Sequence, residues 1–284
     1  MNESLIGNAP SAPVRPAPIL TRENRLETLN RLALREERLP FSVRVVRGEG
    51  DLRKAVAIRH AAYARHVPDL AERLREPEDL DREDGVAVLL AESKLDGTPL
   101  GSARIQTNCF RALSVEQSVA LPAHMADLAL AEVTRLGIVG GSVGRLVKVV
   151  LIKAAFQYCE REGLDWAIAA GRAPIDKHYE QLLFQDLYPD VGFLPLKHAG
   201  NLPHRVMAFE IATGPARWSA AQHPLLDFFC HTRHPDIDLG PRRPTMQPIR
   251  VREDEPRGPA WADMLGAVGR RLTGLTVGGQ RAPA

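Results

Sequence analysis

The run LALAEVTRLGI, residues 128–138, has the Leu, Ala, Val and Ile content of a buried β-strand, yet it carries Glu132 and Arg135 in its middle. A carboxylate near a reacting amine can take its proton, directly or through a water. An arginine can anchor a charged loop through its fixed fork of donors. Side chains alternate across a strand, so residues three apart point to opposite faces unless a bulge intervenes. Glu132 and Arg135 therefore serve two different faces, or they mark a kinked strand. The non-chemical alternative is an ion pair to a neighbouring helix for one and solvent at the strand end for the other, because buried charges are usually paired.

Two further stretches carry reactive residue types. GGSVGR, residues 140–145, is a glycine-rich turn that opens a helix, where free backbone N–H groups and the positive helix end attract anions. PLLDFFCHTRHPDID follows His223 and brings His231, His234 and Asp236 close to it in sequence, but the spacings fit no common metal site and no metal is expected. Phe228 and Phe229 in that stretch read as core or as the lining of an apolar tunnel.

The elements that would position these groups follow from periodicity. Residues 1–20 are proline-rich and poor in apolar side chains, the composition of a flexible tail. Thr21 could cap a helix running to about Arg38. FSVRVV (41–46) alternates as a strand, and DLRKAVAIRHAAYARHV (51–67) repeats at helical spacing with Asp51 as its N-cap. An acidic loop, REPEDLDREDG, comes next. Strands VAVLLAES and PLGSARIQ follow, joined through the hairpin signal Asp96-Gly97. After the Glu132 strand come a helix over 146–163, a doubly buried strand DWAIAAG, a helix IDKHYEQLLFQDLY and a strand pair GFLPL and RVMAFEIA. The order predicts an α/β core.

Residues 1–40 are read as tail plus short helix and 41–240 as the main domain. Residues 241–284 read as a Pro/Arg-rich linker ending in an amphipathic helix around Trp261. That last helix could lie on a membrane surface, although packing on its own domain is the stronger reading.

Composition narrows the function classes. Lys plus Arg (37) and Asp plus Glu (35) nearly cancel, so no overall charge draws the chain to nucleic acid or to an anionic membrane. Three widely spaced cysteines argue for a reducing compartment, and the N-terminus has no secretory pattern, so a cytoplasmic protein is expected.

Four charged signals stand in a fixed order. They are IRHAAY with Arg59, EDLDREDG with Asp81 and Asp84, GSARIQT with Arg104, and LAEVTRLGI with Glu132 and Arg135. The succession resembles the autoinducer synthase group of acyltransferases, both the LuxI-type acyl-homoserine lactone synthases and the FeeM-type N-acyl amino acid synthases. The resemblance spans roughly residues 41–212. It implies a GNAT-like fold, a mixed sheet flanked by helices, here with N- and C-terminal extensions. It also implies that Arg59, Asp81, Asp84, Arg104 and Arg135 surround the acceptor site and anchor the acidic segment as a lid. Aromatic residues usual after the first helix of the lactone synthases are missing from ARHVPDLAERLREPEDL, which favours the FeeM-type reading.

On that reading a long acyl chain passes from acyl carrier protein to the amine of an amino acid. Amide formation from a thioester needs a neutral amine, a polarised carbonyl and a channel that joins them. Glu132 is the candidate base; its alternative is to hold the amine or to pair with Arg104. Gly141, Gly144, Arg145 and Lys148 would receive the phosphopantetheine phosphate, and Arg145, Lys148 and Lys153 on one helix suit an acidic carrier protein. The acyl thioester is a co-substrate, and no bound cofactor is implied. The rival readings are an acyl-homoserine lactone synthase, an acyl-coenzyme A-dependent GNAT enzyme, and a non-catalytic sensor of a lipid pathway.

Overall fold

The computed structural model describes residues 34–241. The expected tail, most of the first expected helix, the linker and the terminal amphipathic helix lie outside the described residues.

The chain begins with β1 (Arg35–Glu36) and β2 (Phe41–Val45), then α1 (Glu49–Ala64) and α2 (Pro68–Arg73), then a single 3-10 turn over Asp79–Arg82. Strands β3 (Val86–Ser93) and β4 (Pro99–Thr107) form a hairpin. After two short 3-10 turns comes β5 (Leu130–Ile138), then α3 (Gly141–Glu162), β6 (Trp166–Gly171) and α4 (Asp176–Gln181). The rest is β7 (Gln185–Asp186), β8 (Leu194–Leu196), β9 (Leu202–Glu210), α5 (Gly214–Ala220), a π-helical turn at Asp227–His231, β10 (Thr232–Arg233) and β11 (Ile237–Asp238). Among the described residues the main sheet runs in the order β11-β2-β3-β4-β5-β6-β9-β7, with β8 on β9. It is antiparallel except at β11–β2 and β5–β6. The sheet and helices form the α/β core that the element order predicts, and its mixed sheet flanked by helices is the architecture that the resemblance implies.

Strand parity explains the layers. Ala87, Leu89 and Ala91 of β3 join α3 in one core, while Val88 and Leu90 pack with Leu52, Ala55 and Val56 of α1 in another. A strand covered on both faces reads as a continuous apolar run, as VAVLLAES does.

Several local expectations are corrected. Arg35–Glu36, inside the helix expected to reach Arg38, is extended and pairs with Thr232–Arg233, so the β-ladder satisfies this backbone. Gly48 is the N-cap of α1, and Asp51 instead accepts hydrogen bonds from Arg44 (2.8 Å for the Nη2 contact). The helix expected over 175–188 stops at Gln181, because Leu183 turns left-handed (φ 67°) and the chain continues as a short strand. Lys153 does not lie on an exposed basic face. Its ammonium is buried, donates to the carbonyls of Phe228 and Thr232 and lies 3.0 Å from His234 Nδ1.

Candidate active site

The strand that carries Glu132 and Arg135 is bent by one extra residue. Ser102 opposes Gly137, but Arg104 opposes Thr134, so three steps on β5 match two on β4. Arg135 is that residue, at φ 55°. A non-glycine residue in the left-handed region costs about 1–2 kcal/mol and is held there by its surroundings. The bulge reverses the parity of the strand, so Thr134 and Arg135 both reach the α1 face while Leu136 returns to the α3 face. Of the two options left open by the sequence, the kinked strand is the one observed. Gly137 then faces α1 so closely that a Cβ would sit 2.9 Å from the Arg59 Cα.

On this face three arginines and two acids lock together beneath α1. Asp81, its side chain wholly buried, accepts from Arg59 (2.9 and 3.1 Å) and from Arg104 (3.3 Å), and Oδ2 also caps the Glu78 N–H at 3.0 Å. Glu78 takes both ends of the Arg135 fork at 2.7 Å and Nη1 of Arg104 at 2.9 Å. Burial pushes the Glu78 carboxyl up, but Arg135, Arg104 and Arg59 outweigh it and hold it at about 2. Arg59, Asp81, Arg104 and Arg135 are thus brought together, and with Glu78 they tie the acidic segment to β4, β5 and α1. Asp84 does not join them: it is exposed, beyond the 3-10 turn, and Glu78 occupies the role assigned to it. The i, i+3 spacing of Glu78 and Asp81 in one turn was the available signal.

Glu132 lies beside this network with no exposure at all. Oε2 accepts from the Val115 N–H at 3.0 Å, and Arg104 makes no hydrogen bond to it among the described residues, having been taken by Glu78, Asp81 and Thr134. His198 Nε2 stands 3.4 Å from Oε1, inside ion-pair range but out of hydrogen-bond alignment. Burial pushes the Glu132 carboxyl up to about 7, against the pull of the Val115 N–H, Arg104 and Arg135. Burial, reinforced by Arg135, His204 and Arg104, drives the His198 imidazole down to about 4. Burial thus favours the neutral form of both groups.

His198 had no sequence signal. It sits in a 3-10 turn, Lys197–Ala199, that the β8–β9 hairpin swings across the sheet. There it lines a cleft of mixed character, of about 440 Å³ with its open mouth, whose polar wall is Tyr63, Arg135, Arg172 and His204 and whose apolar wall includes Val67, Leu70 and Leu202. Glu132 is not among the lining residues, so the cleft reaches it through His198.

A second cleft, of about 570 Å³ with its mouth, opens on the α3 face and is almost wholly apolar, walled by Leu151, Ala155 and Phe156 of α3 with Tyr179, Trp218 and Phe229. Its location follows from the sheet. β5 and β6 pair only from Leu130–Trp166 to Val133–Ala169, and beyond that point they part. Val133 lines both clefts, and the successive residues Ala169 and Ala170 line the apolar and the mixed cleft respectively.

The glycine-rich turn is the first turn of α3. No side chain caps it, and Gly144 is obligatory because a Cβ there would lie 1.8 Å from the Val139 carbonyl oxygen. Gly141 and Arg145 are exposed, and Lys148 lies 3.3 Å from His178 Nδ1. The histidines near residue 230 take separate partners: His223 the Gln181 carbonyl, His231 Asp227 and His234 Lys153, while Asp236 accepts from Leu39 and Lys94. The Cys159 thiol is buried, which pushes it up to about 12. Among the described residues no helix is long and apolar enough to cross a membrane.

No protein-family model matches the sequence, and no curated protein matches it either. Solved structures do. The N-acyl amino acid synthase FeeM from uncultured soil microbes is 14% identical (TM-score 0.49), the match covering 66% of this chain and 96% of that one. The CoA-dependent acyl-homoserine lactone synthase BjaI, solved with MTA, is 16% identical (TM-score 0.49), over 72% and 95% of the two chains. The aminoglycoside 6'-acetyltransferase type Ii is 13% identical (TM-score 0.41), over 60% and 96%. The chemistry of the site rests on this chain's own residues.

Proposed function

We propose that the protein is an acyltransferase that moves a long acyl chain from a carrier-protein thioester to the amine of an amino acid. The observation that carries this reading is that a cleft bearing Arg172, His198 and His204 meets an almost wholly apolar cleft where β5 and β6 part, at Val133 and Ala169–Ala170. An apolar acyl chain and a charged acceptor need opposite solvents, and only where those two environments touch can their reacting atoms be brought together.

His198 Nδ1, buried and without a partner among the described residues, accepts the proton of the acceptor amine, and Nε2 passes its own proton to Glu132. The imidazole conveys the proton and Glu132 stores it, in keeping with a carboxyl near 7 and an imidazole near 4. The freed nitrogen lone pair attacks the thioester carbonyl carbon; the C–S bond breaks and the sulfur leaves, taking a proton to become the thiol. Parted β5 backbone beyond Val133 and the uncapped first turn of α3 suit the pantetheine arm and its phosphate, at Gly141, Gly144, Arg145 and Lys148. Exposed Val143 and Leu146 flank Arg145 there, an apolar and basic patch suited to an acidic carrier protein; Lys153, being buried, takes no part.

The test is thiol release from palmitoyl- and acetyl-carrier protein, and from the matching coenzyme A esters, in the presence of the common amino acids. Release that needs both the palmitoyl donor and an amino acid is expected; release from acetyl donors alone, or none from folded protein, overturns the reading. Ala155→Phe, which fills the apolar cleft at a cost of about 1–3 kcal/mol, should lower the palmitoyl rate at least tenfold, about 1.4 kcal/mol, while a short-chain donor is spared.

A further inference from the structure

Resting on the reading that the cleft at His198 holds the acceptor, we propose that Arg172 binds the acceptor's carboxylate and so restricts the enzyme to amines that carry one.

Arg172 directly follows Gly171, the last residue of β6, and its carbonyl accepts the Asp176 N–H at 3.1 Å, which fixes the turn into α4. Its side chain is half-buried and lines that cleft beside His198 and His204. Every other cation on the cleft wall or behind it is matched. Arg135 is held by Glu78, and Arg59 and Arg104 by Asp81 and Glu78. Three acids that follow Arg172 in the chain are taken by another group: Arg205 pairs with Asp176 at 3.1 Å, with Asp186 at 2.9 Å and with Glu180 at 3.8 Å. Among the described residues no carboxylate pairs with Arg172.

A half-buried guanidinium without a counter-ion is costly and calls for an anion. Its forked donors fit a carboxylate in the bidentate manner. The cleft offers a second complementary group, the unpartnered His198 Nδ1, on a side chain only 8% exposed. One uncompensated cation together with one bare nitrogen acceptor is the negative image of a carboxylate beside an N–H group, which is an amino acid. His204 supports the same polarity. Its Nδ1 bonds the Leu202 carbonyl at 2.8 Å, and burial, with Arg172 adding to it, lowers its pKa, so that it does not compete as a second cation. The phosphate of the donor is a less fitting occupant, because the proposed reaction places it at the uncapped first turn of α3.

The experiment compares the common amino acids with their α-carboxamides as acceptors for palmitoyl-carrier protein. Wild type should acylate the acids and largely ignore the carboxamides. Arg172→Gln should raise the acceptor KM about 10- to 100-fold, the loss of one charge-assisted pair, leave the donor KM unchanged and abolish the preference for the acid; Arg172→Lys should restore part of it. Equal use of both acceptor sets by wild type, or a variant that raises the donor KM instead, overturns the assignment. A binding measurement separates this outcome from a failure of the catalytic reading. Calorimetric titration with N-palmitoyl-leucine and its carboxamide should show the acid bound tighter by wild type and not by Arg172→Gln. Equal binding of the two by wild type refutes the role of Arg172 whether or not turnover is seen.

Discussion

Glu132→Gln is expected to slow acyl transfer by a factor of about 10²–10⁴, the usual contribution of a positioned proton acceptor. The amide keeps the shape of the carboxyl and can still accept from the Val115 N–H, but it cannot store the proton that His198 hands on. The wild-type rate should rise with pH through about 7, as Glu132 ionises, and the variant should lose that limb. Stability should move the other way. Glu132 has an ordinary value of 4.5 and a folded value of about 7, so between those pH values the native state holds more protons than the unfolded chain. Stability from this group is present below 4.5 and is lost as pH rises through 7. The deficit at pH 8 is about 3 kcal/mol, which the neutral amide avoids. Denaturation curves should therefore coincide near pH 4.5 and separate above pH 7 with the variant the more stable; a variant less stable at pH 8 would contradict the buried, proton-storing role.

Asp81→Ala should destabilise the protein by about 3–5 kcal/mol, the cost of leaving a buried charge without its partner. Asp81 is the shared acceptor for Arg59 and Arg104, and it also caps the turn that presents Glu78 to Arg135. Its loss leaves Arg59 without its 2.9 Å partner, takes one of two acids from Arg104, both groups being at most 1% exposed, and removes the cap that holds Glu78 against the left-handed Arg135. Urea unfolding should show a lower midpoint with an unchanged slope. Asp84→Ala should leave both unchanged, since Asp84 is exposed. Equal effects of the two substitutions would remove Asp81 from the centre of the network.

The sequence made the sheet and its charged strand legible because both depend on local period. An apolar run interrupted at Glu132 and Arg135 signalled either two faces or a bulge, and the backbone of Arg135 decides for the bulge. Membership of the network was legible only in part. EDLDREDG is so dense in acids that composition does not say which carboxylates turn inward; a 3-10 turn places Glu78 and Asp81 together and releases Asp84. His198 and Arg172 were invisible because their roles arise from tertiary placement, across the β8–β9 hairpin and at the end of β6. Lys153 misled for the same reason. The helix has a lysine at that position, but only the fold brings residues 228–234 over it. Strand parity is a property of neighbouring residues, whereas the nearness of Glu132, His198 and Arg172 depends on β5, β6 and the β8–β9 hairpin, distant in sequence, being neighbours in the sheet.

The proposed reaction joins a long acyl chain to an amino acid amine at the parting of β5 and β6. Mass spectrometry of the products tests it most directly, with purified protein given palmitoyl-carrier protein or palmitoyl-coenzyme A, the common amino acids in one set of reactions and S-adenosylmethionine in another. A palmitoylated amino acid formed from the carrier-protein donor is the predicted result. A homoserine lactone product would contradict the assigned acceptor, and no acyl amide in any reaction from demonstrably folded protein would contradict catalysis itself and leave a ligand-sensing protein.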